Sequence, residues 1–217
     1  MAESSLAEVE GRIAKAAALA GRKAGDVTLI AISKTQGPEA IEVLIAEGQR
    51  DFGENRVQEA EAKWPALRAR HPDVRLHLIG QLQSNKADQA VALFDVIHSV
   101  DRPSLVASLT RAMDKAGRRP DCFLQVNIGD ERQKGGCAVA DLPELIEAAR
   151  ALPVVGLMCI PPADVESAPY FALLARLARR HGLTGLSMGM SADYETAVMI
   201  GATHVRVGTA LFGPRGG

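Results

Sequence analysis

The stretch Asp26-Val27-Thr28-Leu29-Ile30-Ala31-Ile32-Ser33-Lys34-Thr35-Gln36-Gly37-Pro38 decides the fold. Residues 28–32 form a short apolar run between an acidic residue and a Gly-Pro turn. That is the pattern of a strand covered on both faces. Pro38 can open a helix, with Ile41, Leu44 and Ile45 as its apolar face and Gly48 as its stop. A strand buried on both sides and followed at once by a helix is a β/α unit, which needs parallel neighbours.

Downstream the unit repeats. Strands are predicted at 52–55, 76–82, 96–100, 122–128, 154–160, 186–188 and 205–208, with helical patterns between them. Asp141 and Glu144 resemble a capping box, and Ser191 is expected to cap the helix that runs to Ile200. Upstream, Leu6, Val9, Ile13, Ala17 and Ala20 recur at helical spacing, and Glu8 supports Arg12 four residues on. Eight strands alternating with helices imply an α/β protein with a parallel sheet, and eight strands close a (β/α)8 barrel of the TIM type. The expectation is one domain over residues 1–217. After strand eight only a Gly-Pro-Arg-Gly-Gly tail remains, so no full eighth outer helix is expected. The additional N-terminal helix is expected to cover that side.

Composition narrows the function. The 217 residues carry 25 Lys+Arg against 26 Asp+Glu, a net charge of -1, which argues against nucleic acid or an anionic membrane as partner. Five Phe, two Tyr and one Trp make a base-stacking platform a poor expectation. Cys122, Cys137 and Cys159 are odd in number and widely spaced, which fits a reducing cytoplasm. No apolar run approaches the roughly 18 residues of a membrane span. The polar, acidic start lacks the pattern of a secretion signal, so the expected location is cytoplasmic.

Parity along the strands sorts the polar residues. Lys34 follows Ile30 and Ile32; Gln81 follows His77 and Ile79; Gln125 follows Phe123; Arg206 follows His204. The opposite parity is apolar and suits the helix-covered outer face. The polar parity therefore points inward, and several of its members lie at the C-terminal strand ends, where barrels of this type carry their sites. An amine sheltered from water loses proton affinity and can attack an aldehyde, which makes Lys34 the sharpest candidate. Its plain alternative is a lysine that has passed the strand end and faces water. Arg206 on an inward face needs a partner, either a structural carboxylate or a bound ligand. Ser187 and the Gly208-Thr209 pair, near the ends of strands seven and eight, offer hydroxyls and N–H groups of the kind that hold a phosphate, or else ordinary turns. Asn55 and Asn85 can be helix caps or ligand contacts. His77 and His98 read as core histidines, and no group has zinc-ligand spacing. Cys159 reads as packing.

Five segments together carry a resemblance. They are residues 31–35 (AISKT), 52–59 (FGENRVQE), 77–86 (HLIGQLQSNK), 186–191 (LSMGMS) and 205–213 (VRVGTALFG). In this order they resemble the pyridoxal phosphate homeostasis protein family, similar in fold to the N-terminal barrel of alanine racemase. The resemblance implies a bound pyridoxal 5'-phosphate (PLP), held as an aldimine on Lys34. It places Ser187, Gly208 and Thr209 around the phosphate, Arg206 beside the ring nitrogen, and Asn55 and Asn85 on the pocket wall. Gln36 stands where the family often has a basic residue, which affects a surface contact only.

An arginine at the pyridine nitrogen does not protonate it, so the ring is a poorer electron sink than with a carboxylate partner. The expected function is therefore a PLP carrier without strong turnover, a monomer that passes the cofactor to apo-enzymes. A PLP-dependent amino-acid racemase and a Schiff-base aldolase are the alternatives. Against the racemase stand only two tyrosines, Tyr170 and Tyr194, neither at a predicted strand end.

Overall fold

The structure is a computed structural model that describes residues 5–213. Helix α1 (Ser5–Leu19) precedes strand β1 (Thr28–Ile32). Then follow α2 (Pro38–Ala46), β2 (Asp51–Glu54), α3 (Val57–Arg70) and β3 (Arg75–Leu78). The chain continues through α4 (Ala87–Leu93), β4 (Val96–Val100), α5 (Pro103–Ala116) and β5 (Asp121–Gln125). Next come α6 (Leu142–Ala148), β6 (Val154–Met158), α7 (Ala168–Arg180) and β7 (Gly185–Met190). Helix α8 (Tyr194–Ile200), β8 (His204–Val207) and the single turn α9 (Thr209–Phe212) complete it.

All eight strands run parallel in sequence order, and β1 closes the barrel on β8 with Ile30 opposite Arg206. Strand alternation divides the interior into two layers. Leu29, Ala31, Phe52, Leu76, Leu78, Leu124, Val205 and Val207 face outward into a continuous apolar layer under the helices. Inside the barrel the apolar packing is smaller: Val96, Phe123 and Met158 pack together. The remaining inward positions include His77, His98, Ser187 and Arg206, all buried.

Helix α1 covers the barrel beside α8 and α9. Its buried stripe includes Leu6, Val9 and Ile13. Each of these removed from water contributes roughly 1.5–3 kcal/mol. Arg22 ties the far end of α1 down by donating to the carbonyls of Val198 and Ala202, both at 2.8 Å. As expected, no full eighth outer helix follows β8 among the described residues: the single turn α9 stands there and α1 covers that side; residues 214–217 of the expected tail lie outside the described residues.

Four strand ends differ from the sequence expectation by two residues or more. Strand three ends at Leu78 rather than 82, strand five at Gln125 rather than 128, and strand six at Met158 rather than 160. Leu82, Val126 and Ile128 are buried all the same, because the loops at this end fold over the barrel. Apolarity therefore continues past the ladder. Strand seven is longer than expected and reaches Met190. Ser191 does not cap α8; Asp193 stands at that position and its carboxylate accepts from the Met190 N–H at 2.7 Å.

Candidate functional site

At the C-terminal end of β1 the chain leaves the ladder at Ser33 and turns through Lys34 and Thr35. Thr35 has a φ of 65°, a left-handed conformation that costs a non-glycine residue about 1–2 kcal/mol. Several bonds hold it there. The Thr35 N–H donates to Glu59. Lys63, on α3, donates to the carbonyls of Ser33 and Gln36 at 2.7 and 3.3 Å. The same ammonium pairs with Glu54 at 2.8 Å. Glu54 is fully buried on the outer face of β2, and its Oε1 also accepts from the Ser33 hydroxyl at 2.6 Å and the Trp64 indole at 2.9 Å. The turn that carries Lys34 is clamped from outside the barrel. The Lys34 amine itself is half-buried and, among the described residues, has no ion pair or hydrogen bond.

Two adjoining cavities meet at Lys34, sharing Ile32, Met190 and Arg206 as common wall. The first, about 150 Å³, runs toward Ser191, Gly208 and Thr209. The second, about 280 Å³, runs toward Asn55, Gln81, Gln125 and Lys134. Gly80 also lines the second cavity, and a Cβ there would stand 2.1 Å from the Asn55 carbonyl oxygen. Only glycine lets the ends of β2 and β3 approach this closely, which is what brings Asn55 to the wall.

Arg206 is 4% exposed, yet no carboxylate lies within ion-pair distance among the described residues. It donates to the Ser187 hydroxyl at 2.7 Å and to the Cys159 carbonyl at 2.9 Å. Burial pushes its pKa below the ordinary value, but a guanidinium stays charged at neutral pH. A cation with two donors spent on neutral acceptors keeps its remaining N–H groups for an occupant of the cavities.

Residues 5–216 match the family described as alanine racemase, N-terminal domain. The pyridoxal phosphate homeostasis protein of Pseudomonas aeruginosa is 45% identical, over 97% of this chain and 94% of its own. That of Aquifex aeolicus is 41% identical, over 97% and 96%. The chain belongs to the pyridoxal phosphate homeostasis protein family. PipY of Synechococcus elongatus, solved with PLP bound, matches with a TM-score of 0.79 at 44% identity, covering 93% of this chain and 100% of PipY. An alanine racemase of Clostridium difficile matches with a TM-score of 0.70 at 12% identity, covering 96% of this chain and 57% of the racemase, which shows the shared barrel.

For this family member, the cavities gather five of the seven residues named from the sequence: Lys34, Asn55, Arg206, Gly208 and Thr209. The other two lie elsewhere. Ser187 is fully buried beneath the cavities, and its hydroxyl is engaged by Arg206 and His98. Asn85 is exposed in a short 3-10 turn, Ser84–Lys86, and lines neither cavity. Sequence reasoning missed Ser191, Gln81, Gln125 and Lys134 as wall residues. Parity had already turned Gln81 and Gln125 inward, but Lys134 sits in a loop with no periodic signal.

The three cysteines are free and buried, and burial pushes each thiol up to about 12, so none is a nucleophile at neutral pH. Neither Tyr170 nor Tyr194 lines the cavities. Among the described residues no helix is long and apolar enough to cross a membrane.

Proposed function

We propose that this chain holds PLP covalently on Lys34 at the barrel mouth and serves PLP homeostasis as a carrier, without strong catalytic turnover. The observation that carries the reading is an unpartnered amine at the junction of two cavities, with a buried arginine on their shared wall. These residues fit the cofactor. When bound, PLP supplies an aldehyde that condenses with a primary amine and expels water. Ser191, Gly208 and Thr209 offer hydroxyl and N–H donors to the phosphate from the first cavity. Asn55, with the carboxamides of Gln81 and Gln125, lines the side where the ring would lie. Arg206 on the shared wall would donate toward the ring without giving up its proton, which would leave the ring a weak electron sink. Ser187 acts on Arg206 rather than on the phosphate, and Asn85 has no part.

The same reading makes residues 1–217 one domain, monomeric and cytoplasmic, that hands PLP to the apo-forms of PLP-dependent enzymes. The three unpaired cysteines and the balanced charge support it. The test is the visible spectrum of the purified protein before and after borohydride. A yellow protein whose reduction fixes the cofactor mass on Lys34 is expected; label on any other lysine overturns the assignment. Incubation with L-alanine and chiral analysis should show no robust racemisation. Rapid turnover would replace the carrier with a racemase.

A further inference from the structure

A line of buried polar groups runs through the barrel from its opposite end to Arg206. Asp51, the first residue of β2, is at the N-terminal end, with its side chain 22% exposed. Its Oδ1 lies 2.9 Å from His77 Nε2, and His77 Nδ1 lies 3.0 Å from His98 Nε2. His98 Nδ1 lies 2.9 Å from the Ser187 hydroxyl, which accepts from Arg206 at 2.7 Å. Four strands besides β8 contribute, and His77, His98 and Ser187 are fully buried. Phe123 stacks on the His98 ring at 4.6 Å, and His204 meets it edge-on at 5.9 Å.

We propose that Asp51, His77, His98 and Ser187 form a polarised column that positions Arg206 at the cavity wall. The two ends set the direction. A guanidinium can only donate and a carboxylate can only accept. Arg206 donates to Ser187, so the Ser187 hydroxyl passes its own proton to His98 Nδ1. His98 then donates from Nε2 to His77 Nδ1, and His77 donates from Nε2 to Asp51. Every donor has an acceptor in this arrangement. Reversing it at the histidines leaves the Ser187 proton without an acceptor among the described groups, in a site where an unmatched donor is costly. The column thus holds the guanidinium through a neutral hydroxyl, and among the described residues no carboxylate pairs with its charge beside the cavities. Burial, with the nearby charges of Arg206 and Arg75, holds the His98 pKa well below its usual value, which keeps that link neutral.

This role rests on the PLP reading, so the test has one arm that needs no cofactor. Nitrogen NMR of the cofactor-free wild-type protein at neutral pH should show His77 and His98 both carrying the proton on Nε2, with Nδ1 bare. Either ring found with a protonated Nδ1 overturns the column. In the second arm, Ser187→Ala should raise the PLP dissociation constant about tenfold, as the loss of one charge-assisted hydrogen bond would. Ser187→Thr, which keeps the hydroxyl, should stay within about threefold of wild type. Equal weakening in both variants, or a change below about threefold in Ser187→Ala, assigns Ser187 to packing and overturns the proposal. Wild-type protein that takes up no PLP sinks the reading of the site, and the histidine tautomers then decide the column alone.

Discussion

Two cationic side chains share the mouth of the barrel and are held in opposite ways. The turn carrying Lys34 is clamped from outside by ions: Lys63 bridges its carbonyls to the buried Glu54, and Glu59 takes the Thr35 N–H. Arg206 is gripped from inside by a hydroxyl and a carbonyl, without an ion pair. The difference matches two tasks. Around Lys34 the charges fix the backbone and leave the amine uncommitted, as a group that must react requires. Around Arg206 the neutral partners fix the side chain itself, as a group that must only point requires.

The largest expected effect breaks the first half of this contrast. Lys34→Ala removes the amine at the cavity junction. The visible band of the PLP complex and its borohydride fixation should vanish entirely. Stability should change by no more than about 0.5 kcal/mol, because the side chain is half-buried and unpartnered. Absorbance and a urea titration check the two together. A surviving band would show that another lysine serves.

The next effect sets the two anchors against each other. Lys63→Met strands the Glu54 carboxylate, whose side chain is fully buried and whose Oε2 already lacks a partner. Leaving a buried charge alone costs about 3–5 kcal/mol. Arg206→Met strands no charge; it takes a donor from Ser187 and Cys159, for about 1–3 kcal/mol. Denaturant midpoints should therefore fall further for Lys63→Met, while PLP retention should fall further for Arg206→Met. The opposite ranking in either measurement would dissolve the distinction between an ionic clamp and a neutral grip.

Much of this was readable in the residues, for physical reasons that also mark where it stopped. Residues 28–32 carry an apolar run, and residues 96–100 open on Val96-Ile97 and close on Val100 between two aspartates, so both strands have the expected bounds. Period-two alternation sent Lys34, Gln125 and Arg206 inward because only the outer face must be apolar. What the pattern could not carry was which inward polar atoms meet. Ser187 and Ser191 lie four residues apart in one motif, and of the two the sequence reading assigned only Ser187 to the phosphate. Ser187 is still on β7 and points into the interior, whereas Ser191 lies past the strand end and reaches the cavity. Asn55 and Asn85 each follow a strand, but only Asn55 is pulled to the wall by the close pass of Gly80. The Glu54–Lys63 pair was invisible because its partners lie on the outer face of a strand and on a helix, where a sequence reading expects apolar contact.

Acid should strain the interior grip through its histidines. Burial lowers His204 from the ordinary 6.5 to about 4, and His98 lies well below the same reference. The unfolded chain recovers the ordinary value, so between pH 6.5 and 4 it binds more protons than the folded chain. Stability is therefore complete above 6.5 and falls as the pH drops toward 4, with His204 accounting for on the order of 2 kcal/mol. His204→Gln should flatten this slope between pH 6.5 and 4.5 in urea midpoints. An unchanged slope would move the acid sensitivity away from the barrel interior.

The smallest expected effect concerns Gly208, named from the sequence as a phosphate residue. Its backbone is not in the left-handed region, with φ at -120°. A Cβ there would meet nothing nearer than Ile32 Cβ at 3.4 Å, an ordinary contact. Glycine is thus not demanded by strain or by the packing of the fold. What this position offers the first cavity is its amide, whose N–H now donates to the Ser191 hydroxyl at 3.3 Å and survives an alanine. Gly208→Ala should leave stability within about 0.5 kcal/mol and the PLP dissociation constant within about twofold. A loss above about tenfold at unchanged stability would mean that the methyl takes space the ligand itself needs. The rim opposite Lys34 would then hold its occupant by closeness of backbone as well as by donors. That result would sharpen the contrast at the mouth: one side built to react, the other shaped to the last methyl group.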